Sequence, residues 1–230
     1  ILGRSGTGGG GMTYDEFNRR VAAILEQSVH SEGVIDLFDS KDKVEVSLFD
    51  EGFLEEIRRI KEKNIAYETL KRLIKEQVRD YRKTSVVQAE KFSDMLQRSV
   101  NGYLNGMLSN AQVIEELIKM AHEMMAEREE GKKLGLGKEE LAFYDALTKP
   151  QAVKDFYDND QLVAITRELT EQLRNNATID WQRKESARAG MRRSIKRLLK
   201  KYKYPPDGQE EALDTVMRQC ELWADSRVMD

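Results

Sequence analysis

The side chains able to ligate a soft metal or attack a substrate are few: two histidines, His30 and His122, and one cysteine, Cys220. A zinc site needs three or four such ligands at motif spacing. These three lie far apart, so metal binding is not expected. His122, beside Met120, Met124 and Met125, reads as a helix-surface or half-buried imidazole, and Cys220, among apolar residues at helical spacing, as a buried and inert thiol. A phosphate-cradling loop of the Walker type needs Gly, four residues and Gly-Lys-Ser/Thr. Gly137-Lys138 comes nearest, but Lys132 stands where the first glycine belongs and Glu139 replaces the hydroxyl. The glycine-rich stretch at 1–11 has no preceding strand to support such a loop and reads as a flexible linker. No cofactor or metal site is therefore assigned to the chain.

What remains is charge. Arg183, Lys184, Arg188, Arg192, Arg193, Lys196, Arg197, Lys200, Lys201 and Lys203 crowd one segment in which Glu185 is the sole acid. At about 100° per residue, Trp181, Met191, Ile195, Leu198, Leu199 and Tyr202 gather on one face of a helix, with a start expected at Thr178 or Asp180. Arg192, Arg193, Lys196, Arg197, Lys200, Lys201 and Lys203 point away from that face. With Arg183, they form a candidate surface for a partner or for the phosphates of duplex DNA, where each neutralised phosphate releases counterions. Arg188 projects beside the apolar stripe and is expected to be buried in an ion pair, because an unpaired buried guanidinium costs several kcal/mol. An acidic helical surface, Glu115, Glu116, Glu123, Glu127, Glu129 and Glu130, offers a possible internal counterpart to the basic one.

The elements that must position these residues are helical. Charged residues make up 34% and aromatics 7%, and there are 3 prolines, a mixture that favours amphipathic helices over strands. The formal net charge is −3, from 38 basic and 41 acidic residues, so contact with a polyanion requires local clustering. A capping box at Thr13-Tyr14-Asp15-Glu16 opens a helix ending near Ser31. A minor strand pair is conceivable near 34–48, where Val44 to Leu48 alternates. Helices follow over Phe53 to Ile60, after Asn64, over Val86 to Leu108 and from Ser109, whose spacing to Gln112 forms another capping box. Further helices carry Leu141, Tyr144 and Leu147, and Leu162, Ile165, Leu169 and Leu173. Tyr204-Pro205-Pro206 interrupts, and Asp207 to Glu210 has the spacing of a cap for a last helix carrying Leu213, Val216, Met217, Cys220 and Trp223.

The fold class is all-α, an irregular array of about eight to ten helices. Residues 12–230 form one helical domain, with a division into 12–108 and 109–230 as the alternative. A single cysteine excludes an internal disulfide, and the chain has neither an apolar run of about 20 residues nor a charged leader before one. A cytoplasmic location is expected.

The stretch from Leu162 to Trp223, including LVAITRELTEQLRNNATIDWQRKESARAGMRRSIKRLLKKYKYPP, resembles the C-terminal helical region of the restriction (R) subunit of type I restriction-modification enzymes. The resemblance extends through Asn110 to Ile118, Leu134-Gly135-Leu136 and Glu139 to Tyr144. It implies a parent chain that uses ATP and magnesium to translocate and cleave DNA, with motor and nuclease elsewhere. It implies for this region a non-catalytic role, docking onto the modification (methyltransferase) subunit and the remainder of the R subunit. Asp207, Glu210 and Glu211 do not reproduce the family's nuclease site, since no Glu-x-Lys triplet follows them. The alternative role is sequence-independent binding of duplex DNA by the basic helix.

Overall fold

The computed structural model describes residues 48–176 and 184–228, with the backbone alone at 151, 152, 176 and 225–228. Among the described residues the fold is all-α, with nine helices and no strand. These are α1 (Glu51–Arg59), α2 (Lys63–Thr84), α3 (Val86–Leu104), α4 (Asn110–Lys133), α5 (Lys138–Thr148), α6 (Gln151–Phe156), α7 (Asn159–Asn176), α8 (Glu185–Lys201) and α9 (Pro206–Val228). The expected linker at 1–11, the helix from Thr13 and nearly all of the possible strand pair at 34–48 lie outside the described residues. Leu48, the one described position of that pair, is helical.

Local chemistry explains most of the boundaries. Asp50 caps α1 by accepting the Phe53 N–H at 2.8 Å. The capping box at α4 forms as the spacing requires: the Gln112 N–H donates to Ser109 Oγ at 3.3 Å, and the Ser109 N–H donates to Gln112 Oε1 at 2.9 Å. Helices α3, α4 and α8 each end with a left-handed residue whose own N–H and the next one return to carbonyls of the last turn. Glycine takes that position in the first two, Gly106 at φ 71° and Gly135 at φ 63°, but in the third it is Lys203 at φ 57°.

The start of α9 differs from the sequence reading. Pro206 is its first residue, where the missing N–H is one that no helix bond would use and the ring fixes a helical φ. Asp207 and Glu210 therefore lie inside the helix and do not form its cap. Glu210 is released to pair with cations of α8. The sequence reading also assigns no element to the short α6.

Among the described residues two apolar cores form. The first is closed by α1 to α4, with Ile57, Leu70, Ile74, Phe92, Leu117 and Ala121 buried. The second is closed by α5 to α9, with Phe143, Leu147, Ile165, Leu199, Leu213 and Val216 buried. Helix α4 packs in the first core, so the two cores divide after it. Phe143 meets Trp223 edge to face, and Cys220 lies buried in the same core, where burial pushes its thiol far above the usual range.

A polar seam joins the cores. Helices α2 and α3 meet at Ser85 without a loop, Ser85 capping α3 through the Gln88 N–H. The break frees the Thr84 carbonyl and the Val86 N–H. Gln219 of α9, 2% exposed, takes both: its amide donates to Thr84 O and its carbonyl accepts from Val86 N, each at 2.9 Å. At the rim, Glu90 of α3 accepts from Lys149 and from Arg218 of α9.

Gln219→Ala is expected to destabilise the chain by about 1–3 kcal/mol, since it leaves two part-buried backbone groups without partners. Urea unfolding monitored by circular dichroism measures this. A loss below about 0.5 kcal/mol, the range of neutral surface changes, would show that the tie contributes little.

Candidate functional site

Helix α8 owes its position to Met191, Ile195, Leu198 and Leu199, which enter the second core. It lies antiparallel to α9, because Arg188 pairs with Glu221, Arg192 with Asp214, and Lys196 with Glu210, the α9 number falling as the α8 number rises. On its other flank Lys201 pairs with Glu168 of α7, and Ser194 donates to Gln172.

The expected cations therefore divide into two sets. Arg192 holds Asp214 at 2.7 Å and Glu210 at 3.5 Å, Lys196 holds Glu210 at 2.8 Å, and Lys201 holds Glu168 at 2.7 Å. Hydrogen bonds from Lys201 and the Tyr202 hydroxyl keep the Glu168 carboxyl below its ordinary pKa, and Lys196 does the same for Glu210. Arg193, Arg197, Lys200 and Lys203 are exposed and have no carboxylate partner among the described residues. The first three recur at steps of four and three and share one solvent-facing stripe. Arg183, with Thr178, Asp180 and Trp181, lies outside the described residues.

Arg188 requires a correction. Its guanidinium does meet a carboxylate, Glu221 at 2.6 Å, but its side chain is 50% exposed. The helical wheel places it correctly beside the apolar stripe. Near the start of α8, however, the stem can reach past the core edge, so the charge stays hydrated and avoids the desolvation cost that motivated the expectation.

The acidic face of α4 does not pair with α8. Glu115 meets Arg58 of α1, Glu123 and Glu127 meet Lys91 of α3, Glu116 accepts from Ser99, and Glu129 holds Lys132 of its own helix. His122 contacts Glu51 at 2.9 Å and so joins α4 to α1. Among the described residues, no three His, Cys, Asp or Glu side chains gather as a metal would require. No helix among them is long and apolar enough to cross a membrane.

Sequence reasoning missed a cleft of ≈ 340 Å³ at the seam, lined in part by Phe49, Tyr81, Gln88, Arg128, Leu141 and Asp145. Asp145 accepts from the Gln88 amide at 2.9 Å. Burial and the nearby Glu127 push its carboxyl from 3.8 to about 7, against the opposing effect of that hydrogen bond. No local signal marked it, since Gln88 and Asp145 are 57 positions apart. The cleft brings a weakly acidic carboxyl together with the cationic side chains of Lys83, Arg128 and Lys138.

The fold and charges can be compared with known proteins. A family model described as "Type I restriction enzyme HindI endonuclease subunit-like, C-terminal" matches residues 2–226. The chain is 40% identical over 200 residues to the type I restriction enzyme HindI endonuclease subunit of Haemophilus influenzae, covering 86% of this chain and 19% of that protein. It is 28% identical over 184 residues to the putative type I restriction enzyme MjaIXP endonuclease subunit of Methanocaldococcus jannaschii, covering 79% of this chain and 18% of that protein. The chain thus spans about a fifth of the length of the curated relatives it matches. No solved structure matches it.

Two outcomes follow from the site geometry. Because the folded state holds the Asp145 proton up to about pH 7 while the unfolded state releases it near 3.8, this group's stabilisation is complete below about pH 4 and is lost as pH rises through 7. Asp145→Asn should raise the thermal midpoint at pH 8 and flatten its fall between about pH 4 and 7. Superimposable pH profiles for the two proteins would refute the assignment. Lys203→Gly should stabilise by about 1 kcal/mol, the cost of a side chain in the left-handed region, measured by chemical unfolding. A loss of stability would mean that the lysine side chain makes a compensating contact.

Proposed function

Since the chain belongs to the HindI endonuclease subunit-like C-terminal family of type I restriction enzymes, we propose that it is the assembly domain of an R subunit. In this reading it docks an ATP-dependent translocase and nuclease, carried by the rest of the parent chain, onto the modification (methyltransferase) subunit. ATP and magnesium belong to that remainder, and no residue here is assigned to them. The domain itself is read as non-catalytic and, with its parent, cytoplasmic.

The observation that carries the reading is the turn between α3 and α4. Leu104 is 73% exposed and Met107 71% exposed, on either side of Asn105-Gly106. Large apolar side chains at a loop tip gain by entering a partner's pocket, and a few such anchors supply most of the energy of an interface. The turn is held in shape, because the Met107 and Leu108 N–H groups both return to the Gly102 carbonyl. A preformed tip loses little entropy on docking.

The second reading, duplex DNA along the backbone, is favoured by the exposed stripe of Arg193, Arg197 and Lys200. Only the cations free of carboxylates are available to phosphates without breaking an ion pair. Ionic strength separates the two readings, since phosphate binding weakens steeply with salt and apolar docking does not.

Isothermal titration of the chain into the modification complex should give a binding isotherm that survives moderate salt. Leu104→Ala combined with Met107→Ala should weaken it by at least about tenfold, more than 1.4 kcal/mol, with the unfolding midpoint unchanged. Undiminished binding by the double variant would remove this turn from the interface, and absence of binding by the unaltered chain would overturn the docking role.

A further inference from the structure

A second cationic surface lies on the other core. From Lys71 to Arg82, α2 carries Lys71, Arg72, Lys75, Arg79 and Arg82 along one wall of a groove of ≈ 560 Å³, opposite Ser93, Leu96, Gln97 and Val100 of α3. Among the described residues Glu76 is the sole acid lining it. That acid is occupied by Arg72 at 3.3 Å, and Lys71 is held by Glu68 at 2.6 Å. Lys75, Arg79 and Arg82 are exposed without a carboxylate among the described residues. Arg82 makes only a long 3.3 Å bond to Ser93 Oγ. These three recur at steps of four and three, so they stand in line along one face of α2.

We infer that the α2–α3 groove binds the phosphodiester backbone of duplex DNA, with Lys75, Arg79 and Arg82 neutralising phosphates and the Ser93 hydroxyl and Gln97 amide donating to their oxygens. The inference goes beyond the docking reading and uses none of the α8 cations. The stripe from Lys71 to Arg82 spans eleven residue steps, about 16 Å of helix at 1.5 Å each. Duplex DNA presents about one phosphate per 3.4 Å of each strand, so several phosphates pass within reach. Guanidinium groups, two of the three free cations, present paired donors suited to phosphate oxygens.

An acidic protein helix is the competing occupant, and the floor of the groove disfavours it. Docking of that kind needs apolar anchors. Of the groove's apolar lining, Val78 is 4% exposed and Leu96 and Val100 are half-buried, while the exposed large hydrophobics among the described residues, Leu104, Met107 and Phe156, do not line it. A groove whose exposed lining residues, Lys75, Arg79, Arg82 and Gln97, are all cations or hydrogen-bond donors suits a ligand recognised by its backbone charge.

The test is fluorescence anisotropy of the full 230-residue chain with a short labelled duplex of unrelated sequence, from about 50 to about 200 mM salt. Lys75→Gln, Arg79→Gln and Arg82→Gln together should lower affinity at least tenfold at the lowest salt. They should also reduce the slope of log affinity against log salt by about 2.7, three contacts at about 0.9 each. Helicity by circular dichroism should be unchanged, since glutamine is a good helix former at exposed positions. A matching triple variant of Arg193, Arg197 and Lys200 should retain most of the binding. The inference is overturned if the α2 variant binds like the unaltered chain or if the α8 variant alone abolishes binding. It is equally overturned if the unaltered chain does not bind duplex, or if polyglutamate of matching charge displaces the duplex at equal concentration. The docking titration into the modification complex is independent of all these outcomes, so either idea can fail alone.

Discussion

Where α2 stops and α3 starts, the chain changes direction at Ser85 with no loop to absorb the change. Two backbone groups are stranded at that break, and Gln219, reaching from α9, satisfies both with the two ends of one amide. A buried carbonyl or N–H without a partner costs more than a single hydrogen bond contributes. The orientation of the second core against the first is therefore coupled to one side chain. Glu90, held by Lys149 and Arg218, and the Gln88–Asp145 pair extend the same contact along the seam. The arrangement of α1 to α4 relative to α5 to α9 rests on this polar line, supported by packing of α9 against α2 and α3.

Charge has two roles on α8. The pairs to Glu221, Asp214, Glu210 and Glu168 are largely exposed, and exposed pairs contribute at most about 1 kcal/mol each. Their value is in register: they hold α8 antiparallel to both neighbours while the stripe of Met191, Ile195, Leu198 and Leu199 supplies the burial. Cations left over from this pairing form a narrow stripe instead of the broad basic face that their spacing on the helix implies. Helix α2 repeats the pattern, with paired Lys71 and Arg72 beside Lys75, Arg79 and Arg82, which have no carboxylate partner among the described residues.

Set in a family of restriction endonuclease subunits, of which it spans about a fifth, the chain offers an apolar turn at one place and two lines of free cations at others. A domain that docks by its turn and meets passing DNA through its cations would link assembly to the path of the duplex. The two kinds of surface differ in salt response because apolar burial is indifferent to counterions and phosphate binding releases them.

The helices, several of their caps and the family were legible in the sequence because each depends on neighbours three or four positions away. Ser109 and Gln112 meet across a single turn, and the core residues of α4 and α9 lie on faces that a period of 3.6 reveals. Family resemblance is likewise carried by residue order alone. What only the tertiary structure decided was the fate of each polar group. Arg188 kept its expected kind of partner but stayed half in water, Glu210 served cations of α8 and not a helix cap, and the acids of α4 turned to Arg58 and Lys91 instead of the basic helix. Gln219 and Asp145 carried no local mark. A helix wheel says which side a charge occupies, but the partner it finds, and whether water reaches it, depends on helices brought alongside from far away in the chain.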